Sequence, residues 1–351
     1  MTSPTITRSK PSSALRQVLA GEYLALVGFL LVLCVFFSWA SPFFLAYNNV
    51  LNILTAMAVT GIIAVPATML LVSGQIDLSV GAGVAFCGVT MAQVAQSHSI
   101  LVAVLVTVAV GAVIGAVNGF LVTVVGVNSL ITTLGTLAIL SGGAKLVAGG
   151  QTVILSGFST LGQSRPLLNI PLSVIILLLV LALGALVLKF SVFGRQLYSV
   201  GGNAVAARLV GIRAGRVIFT TFVLSGLAVT LSALILTSQL GAGSPISAVG
   251  LELSVVTAVV LGGTSLSGGR GTIVGTILGL LIIGVLANGL ILLNVDPFWQ
   301  DIARGALLIL AVSFDRVRVR LAARRRTQAS SEDETAGPAV TAAPAPPVTT
   351  P

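Results

Sequence analysis

Residues 100–125 read ILVAVLVTVAVGAVIGAVNGFLVTVV, an apolar stretch without a single ionisable side chain. A hydrocarbon core about 30 Å thick is crossed by roughly 20 such residues in a helix, because every backbone amide must find its partner inside the segment. The surrounding chain is similar material. Of its 351 residues, 56% are hydrophobic and 8% charged, where a soluble domain carries about 25% charged residues. Too little polar surface remains to clothe a water-soluble globule, so the reading is an all-α polytopic membrane protein.

Measuring the other apolar runs against that length gives about ten transmembrane helices, near 22–40, 50–72, 79–96, 100–125, 130–148, 170–190, 217–237, 251–263, 272–293 and 301–314. The eighth is too short to cross unaided and is expected to be tilted, broken or re-entrant. Arg8, Lys10 and Arg16 precede the first run in the order of a signal peptide, but Ser38-Trp39-Ala40 is a poor cleavage site, which predicts a retained first helix. Ten crossings leave both termini on one side. With the N-terminus inside, the cytoplasmic segments collect Arg8, Lys10, Arg16, Arg195, Arg208, Arg213, Arg216, Arg270 and the six arginines from Arg316 to Arg326, while Arg165 falls outside. Positive residues concentrate on the cytoplasmic side, so N-in and C-in is expected. The organisation is then a cytoplasmic tail over 1–21, a transmembrane domain over 22–315 containing a cytoplasmic loop at 191–216, and a basic juxtamembrane segment with a disordered tail over 316–351. Arg324, Arg325 and Arg326 are placed to sit on anionic lipid headgroups.

The formal net charge of +9 does not point to nucleic acid, because the charges fall in short patches with no aromatic residues interleaved to stack on bases. Cys34 and Cys87 lie inside apolar runs and lack disulfide or metal spacing, and His98 is the sole histidine. Neither a metal site nor an enzyme's acid–base cluster is expected.

An internal repeat is visible. Ile76-Asp77-Leu78-Ser79-Val80 is echoed by Leu251-Glu252-Leu253-Ser254-Val255, and Asn118-Gly119 by Asn288-Gly289. Five spans separate the copies, and an odd number reverses direction, so two inverted five-helix repeats are expected, with a transport pathway at their interface. Asp77 and Glu252 stand at span boundaries, where a carboxylate either caps a helix start or serves a pathway or gate. Asn118, Thr132, Thr133, Thr136 and Asn288 are uncharged groups at membrane depth. They suit a neutral, hydroxyl-rich solute, or equally hydrogen bonds between helices. Glycines four apart (Gly111/Gly115, Gly271/Gly275, Gly275/Gly279) read as close-packed helix faces, within the bundle or between copies. Pro66 should kink the second span, and Asp301 and Arg304 are spaced to pair.

The loop Phe193-Gly194-Arg195-Gln196-Leu197-Tyr198-Ser199-Val200-Gly201-Gly202-Asn203-Ala204-Val205-Ala206-Ala207-Arg208-Leu209-Val210-Gly211-Ile212 contains a short helix that Asn203 can start and Gly211 can end. Ala206 and Ala207 would give it a smooth face beside Arg208, either a lever for another protein or an ordinary solvated loop.

At this loop the sequence resembles the permease family of bacterial ABC importers for ribose, xylose, galactose and related monosaccharides, whose pattern is matched by Gly194, Tyr198, Gly201, Asn203, Ala206, Ala207, Gly211 and Ile212. Three further blocks agree: Gly74 to Gly81, with Gln75 in place of a glycine; Asn118-Gly119 through Thr133-Leu134-Gly135-Thr136; and Glu252-Leu253 through Val259 to Ser265 and Gly268 to Gly271, with Val255-Val256-Thr257 departing from the usual residues. The resemblance covers about 22–315. It implies a permease subunit in the cell membrane that forms the route for a monosaccharide or polyol. Its implied partners are a second permease copy, an extracytoplasmic sugar-binding protein and a cytoplasmic ATPase that docks at Asn203–Gly211. The chain has no phosphate-binding loop of the G-x-x-x-x-G-K-[ST] type and is expected to bind no cofactor, ATP and Mg being used by the ATPase. The alternative is an ion-coupled secondary sugar carrier, which would need a series of intramembrane acids that the spans do not carry.

Overall fold

In a computed structural model describing residues 13–167, 169–296, 298–310 and 312–313, a helix lies on each of the ten apolar runs. The basic segment and tail over 316–351, and the first twelve residues of the N-terminal tail, lie outside the described residues. The helices are α1 (Ser13–Ala40), α2 (Tyr47–Val72), α3 (Val80–Ala95), α4 (Ile100–Phe120), α5 (Ser129–Val147), a single turn α6 (Thr160–Gln163), α7 (Leu172–Phe190), α8 (Val192–Gly202), α9 (Ala204–Leu209), α10 (Ala214–Leu240), α11 (Leu251–Leu261) and α12 (Ile273–Leu292). A last helix, α13, covers 298–310. Among the described residues, seven stretches are long and apolar enough to cross a membrane by themselves, in α1, α2, α4 with its extension, α5, α7, α10 and α12, whereas α3 and α11 are shorter apolar helices.

The centre of the bundle is α2, whose second half is buried almost without interruption from Gly61 to Val72. Around it pack α7, α10, α11 and α12, with α3 and α4 against α10. A helix buried on all sides needs apolar residues on all sides, and α2 has them. Helix contacts are made where side chains are smallest: a Cβ on Gly111 or Gly115 of α4 would strike α10 at Gly226, Thr230 and Phe222. Those glycines therefore pack within the bundle. At the end where α3 and α10 finish, a two-residue antiparallel ribbon joins β1 (Val153–Ile154) to β2 (Ala242–Gly243), and the Gln96 side-chain amide donates to the Ile154 carbonyl at 2.7 Å.

α2 continues as helix on both sides of Pro66, and the 100–125 run is one span whose last five residues, 121–125, form a π-helical turn ending at Gly126. Two expectations need correction. Gly271 lies ahead of α12 in the 262–272 loop, not on a helix face with Gly275. The 191–216 segment holds two helices, since α8 precedes the expected short helix α9 and breaks from it at Asn203.

Candidate functional site

Both acidic motifs open a short helix inside the bundle, but they are held differently. After Val72 the chain leaves α2 through Gly74, whose left-handed backbone (φ 78°) lets the Gly74 and Gln75 amides close on the carbonyls of Leu71 and Leu70. The next residues climb back into the bundle, where the Ile76 amide donates to the Ser129 hydroxyl of α5 at 3.3 Å. Asp77 follows, 7% exposed. One carboxylate oxygen accepts from the Ser79 amide at 3.0 Å and the Ser79 hydroxyl at 2.6 Å; the other accepts from the Ser225 hydroxyl of α10 at 2.8 Å. Asp77 is thus not the N-cap of α3, a position held by Ser79, but braces the turn that precedes it.

The chain of bonds continues into α4 and α5. The Asn118 amide donates to the Ser79 oxygen at 3.0 Å, and the Thr136 hydroxyl donates to the Asn118 carbonyl at 2.6 Å. Thr136, Asn118, Ser79, Asp77 and Ser225 therefore link α5, α4, the start of α3 and α10. A polar group in apolar surroundings costs free energy unless it is hydrogen-bonded, and each of these is. Thr133 stands apart: its hydroxyl donates to the Ser129 carbonyl of its own helix at 2.9 Å. Ser79, Ser225 and Thr136 are needed to satisfy Asp77 and Asn118. Sequence gave no pointer to Ser225, which lies in another helix.

Glu252 sits in the first turn of α11 and is partly exposed. A Cβ added to Gly81 would strike its carboxylate and come within 2.8 Å of the Ala248 carbonyl. The Glu252 side chain therefore lies against the first turn of α3 as well as its own helix. Helix starts carry a partial positive charge from unpaired amides, and two of them converge on this carboxylate. Asn288 joins neither acid. It exchanges two 2.9 Å hydrogen bonds with Asn49 at the start of α2, and Asn49 also donates to the Phe44 carbonyl at 2.8 Å.

The second candidate region is the α8–α9 elbow. Asn203 accepts from the Val205 and Ala206 amides at 3.0 Å each, capping α9. Gly211, at φ 84°, ends it: the Gly211 and Ile212 amides close on the Arg208 and Ala207 carbonyls. Ala207 turns inward among Val200 and Ala214, so it does not share an outer face with Ala206. What α9 presents is Ala206, Arg208, Val205, Leu209 (84% exposed) and Val210 (76% exposed). Gly194 packs against the Val187 and Leu188 carbonyls. Tyr198 donates to the Gly271 carbonyl at 2.7 Å, and burial, with a smaller contribution from the Tyr23 phenol, pushes the Tyr198 phenol above its ordinary range, so it stays a donor. Among the described residues no group of three or more His, Cys, Asp or Glu could hold a metal ion, and the ion pair is Arg304 with Asp301 at 3.2 Å.

The chain has relatives among known proteins. Residues 49–312 match the family described as branched-chain amino acid transport system / permease component. The chain is 38% identical to the ribose import permease protein RbsC of Bacillus subtilis over 82% of its length and 90% of the relative's. It is 36% identical to the L-arabinose ABC transporter permease protein AraH of Azospirillum brasilense, over 83% and 87% respectively. It is 38% identical to the probable ABC transporter permease protein YphD of Escherichia coli, over 82% and 88%. No solved structure matches it.

Proposed function

The chain belongs to the permease components of ABC importers, and from that premise we propose that it forms the route by which a monosaccharide or related polyol crosses the inner membrane. It is a multi-pass inner-membrane protein and a transport subunit without an ATPase site of its own. ATP and Mg belong to a separate ATPase subunit, and an extracytoplasmic binding protein delivers the solute.

The observation that carries the ATP-driven reading is the α9 surface. A helix capped at both ends holds Val205, Leu209 and Val210 out of the bundle beside Arg208. Exposed apolar residues rimmed by charge fit a groove in a partner protein. We assign ATPase coupling to the 191–216 loop, through Gly194, Tyr198, Gly201, Asn203, Ala206, Ala207, Arg208 and Gly211. Gly194, Tyr198, Gly201, Asn203, Ala207 and Gly211 keep the elbow's shape, with Ala207 inside it, and Ala206 and Arg208 meet the partner. Ten crossings in two inverted five-helix copies, N-in and C-in, are supported by the helices on all ten apolar runs and by the paired acidic starts of α3 and α11. The distribution of arginines supports the same orientation. Asp77, Asn118, Thr133, Glu252 and Asn288 were all candidates for pathway or gate; the geometry favours Glu252. A second permease copy completes the route, as a homodimer.

The relatives are named for ribose and L-arabinose, the family for branched-chain amino acids. The interior favours the sugar. Among the described residues its buried polar groups are hydroxyls and amides together with the Asp77 carboxylate, and no buried cation–anion pair of the kind a zwitterion would use is present. Reconstitution of the chain with its ATPase and binding protein tests the reading. Uptake of labelled D-ribose, L-arabinose or another member of a sugar panel is expected to require Mg-ATP and to ignore protonophore and sodium gradient. Uptake driven by an ion gradient without the ATPase would replace the reading by a secondary carrier.

A further inference from the structure

Three stretches of backbone meet beside the α8–α9 elbow more closely than side chains would allow. The Gly268–Gly271 loop threads between α8 and the end of α2, and the Gly269 amide donates to the Val72 carbonyl at 2.8 Å. A Cβ on Gly201 would strike that same carbonyl and lie 2.7 Å from the Gly269 nitrogen. A Cβ on Gly268 would lie 2.8 Å from the Gly201 oxygen and 3.1 Å from the Gly74 nitrogen. Any side chain at these positions would force the segments apart. The Tyr198 bond to the Gly271 carbonyl closes the contact from one side. From the other, Tyr23 of α1 lies 2.6 Å from the Thr272 hydroxyl, which caps α12 by accepting from the Gly275 amide at 3.0 Å.

Close-packed interiors pass displacement on instead of absorbing it, and here two routes lead inward. Val72 is followed five residues later by Asp77. The 262–272 loop joins α11 to α12, whose backbones touch at Gly262 with Gly275 and at Ala258 with Gly279. The far end of α11 carries Glu252. We propose that this contact is a rigid joint that carries movement of the α8–α9 elbow to the two acidic helix starts, with Gly201 and Tyr198 as its positioning residues. The proposal rests on the ATP-driven reading above.

A single cysteine at Leu253→Cys, beside Glu252 and half exposed in the parent, reports the far end of the joint. Cys34 and Cys87 are replaced by alanine, and the full chain is assembled with its ATPase. The rate of maleimide modification is then compared with and without vanadate-trapped Mg-ATP. Trapping should change the rate about fivefold or more, the lower range of coupling between distant sites. Gly201→Ala should reduce that change to less than about twofold with the same amount of ATPase retained. Tyr198→Phe, which removes one bond and adds no volume, should give an intermediate response, and decides the matter if Gly201→Ala does not accumulate. Variants that respond as fully as the parent, a parent that does not respond, or a variant that sheds the ATPase would each overturn the joint. A parent that never retains the ATPase would instead overturn the import reading, and the joint with it.

Discussion

The entries to α3 and α11 carry nearly the same residues, an acid followed by Leu-Ser-Val, and put the acid to different uses. Asp77 is buried and takes three hydrogen bonds, two from Ser79 and one from Ser225. Glu252 is partly exposed and faces the backbone amides of Gly250 and its own residue, with Gly81 of α3 pressed against it. One copy of the motif has become a brace and the other has kept its carboxylate open. A repeat therefore predicts where two sites lie, and the neighbours contributed by other helices decide what each does.

The sharpest way to break that contrast is to remove both acids in turn. Asp77→Ala leaves the Ser79 amide and the Ser79 and Ser225 hydroxyls short of a buried partner, and should cost about 3 kcal/mol of stability, seen as a lower melting temperature in detergent. Glu252→Ala should lower uptake while leaving the melting temperature close to that of the parent. Equal stability losses would show that the two acids play the same part. Next in size, Gly81→Ala puts a methyl group into the Glu252 carboxylate and the Ala248 carbonyl, and should cost about 2 kcal/mol. Adding Glu252→Ala to it should recover part of that loss in a double-mutant cycle. Additive losses would mean that the carboxylate and α3 are not in contact.

Away from the acids, Arg208→Glu should weaken ATPase binding about tenfold, or 1.4 kcal/mol, with the melting temperature unchanged. Full affinity would remove Arg208 from the dock. Asn288→Leu deprives Asn49 of its amide partner and should cost about 1 kcal/mol, the usual scale for hydrogen bonds between membrane helices. Asn118→Leu, which loses both Ser79 and Thr136, should cost more. The smallest effect belongs to Thr133→Val, at about 0.5 kcal/mol or less, because that hydroxyl bonds only within its own helix. A large loss of uptake there would restore Thr133 to the pathway.

The spans were legible because lipid demands long apolar runs and α2, α4, α7, α10 and α12 supply them without ambiguity. The acid-Leu-Ser-Val echo located the starts of α3 and α11 for a similar reason: a carboxylate at membrane depth stands out against apolar sequence. What escaped was everything decided by a distant neighbour. Ser225 lies 148 residues from Asp77, and serine hydroxyls in membrane helices so often bond their own backbone that nothing marks this one. Helix α8 was hidden because Gly194, Gly201 and Gly202 read as loop, although Gly194 and Gly201 are there to let backbones touch. Ala207 was expected on the outer face of α9 because residue type alone does not set the helix's rotation; packing against Val200 and Ala214 does. The cap residues Asn203 and Gly211 could be recognised because capping is local.

The direction of the whole assembly turns on which side of the membrane the α8–α9 elbow occupies. A membrane-impermeant maleimide applied to an Arg208→Cys variant, with both native cysteines replaced, reads this directly. Labelling in inside-out vesicles and protection in intact cells is the predicted result. Labelling in intact cells would put the elbow on the side from which sugar arrives, where no ATPase could drive it.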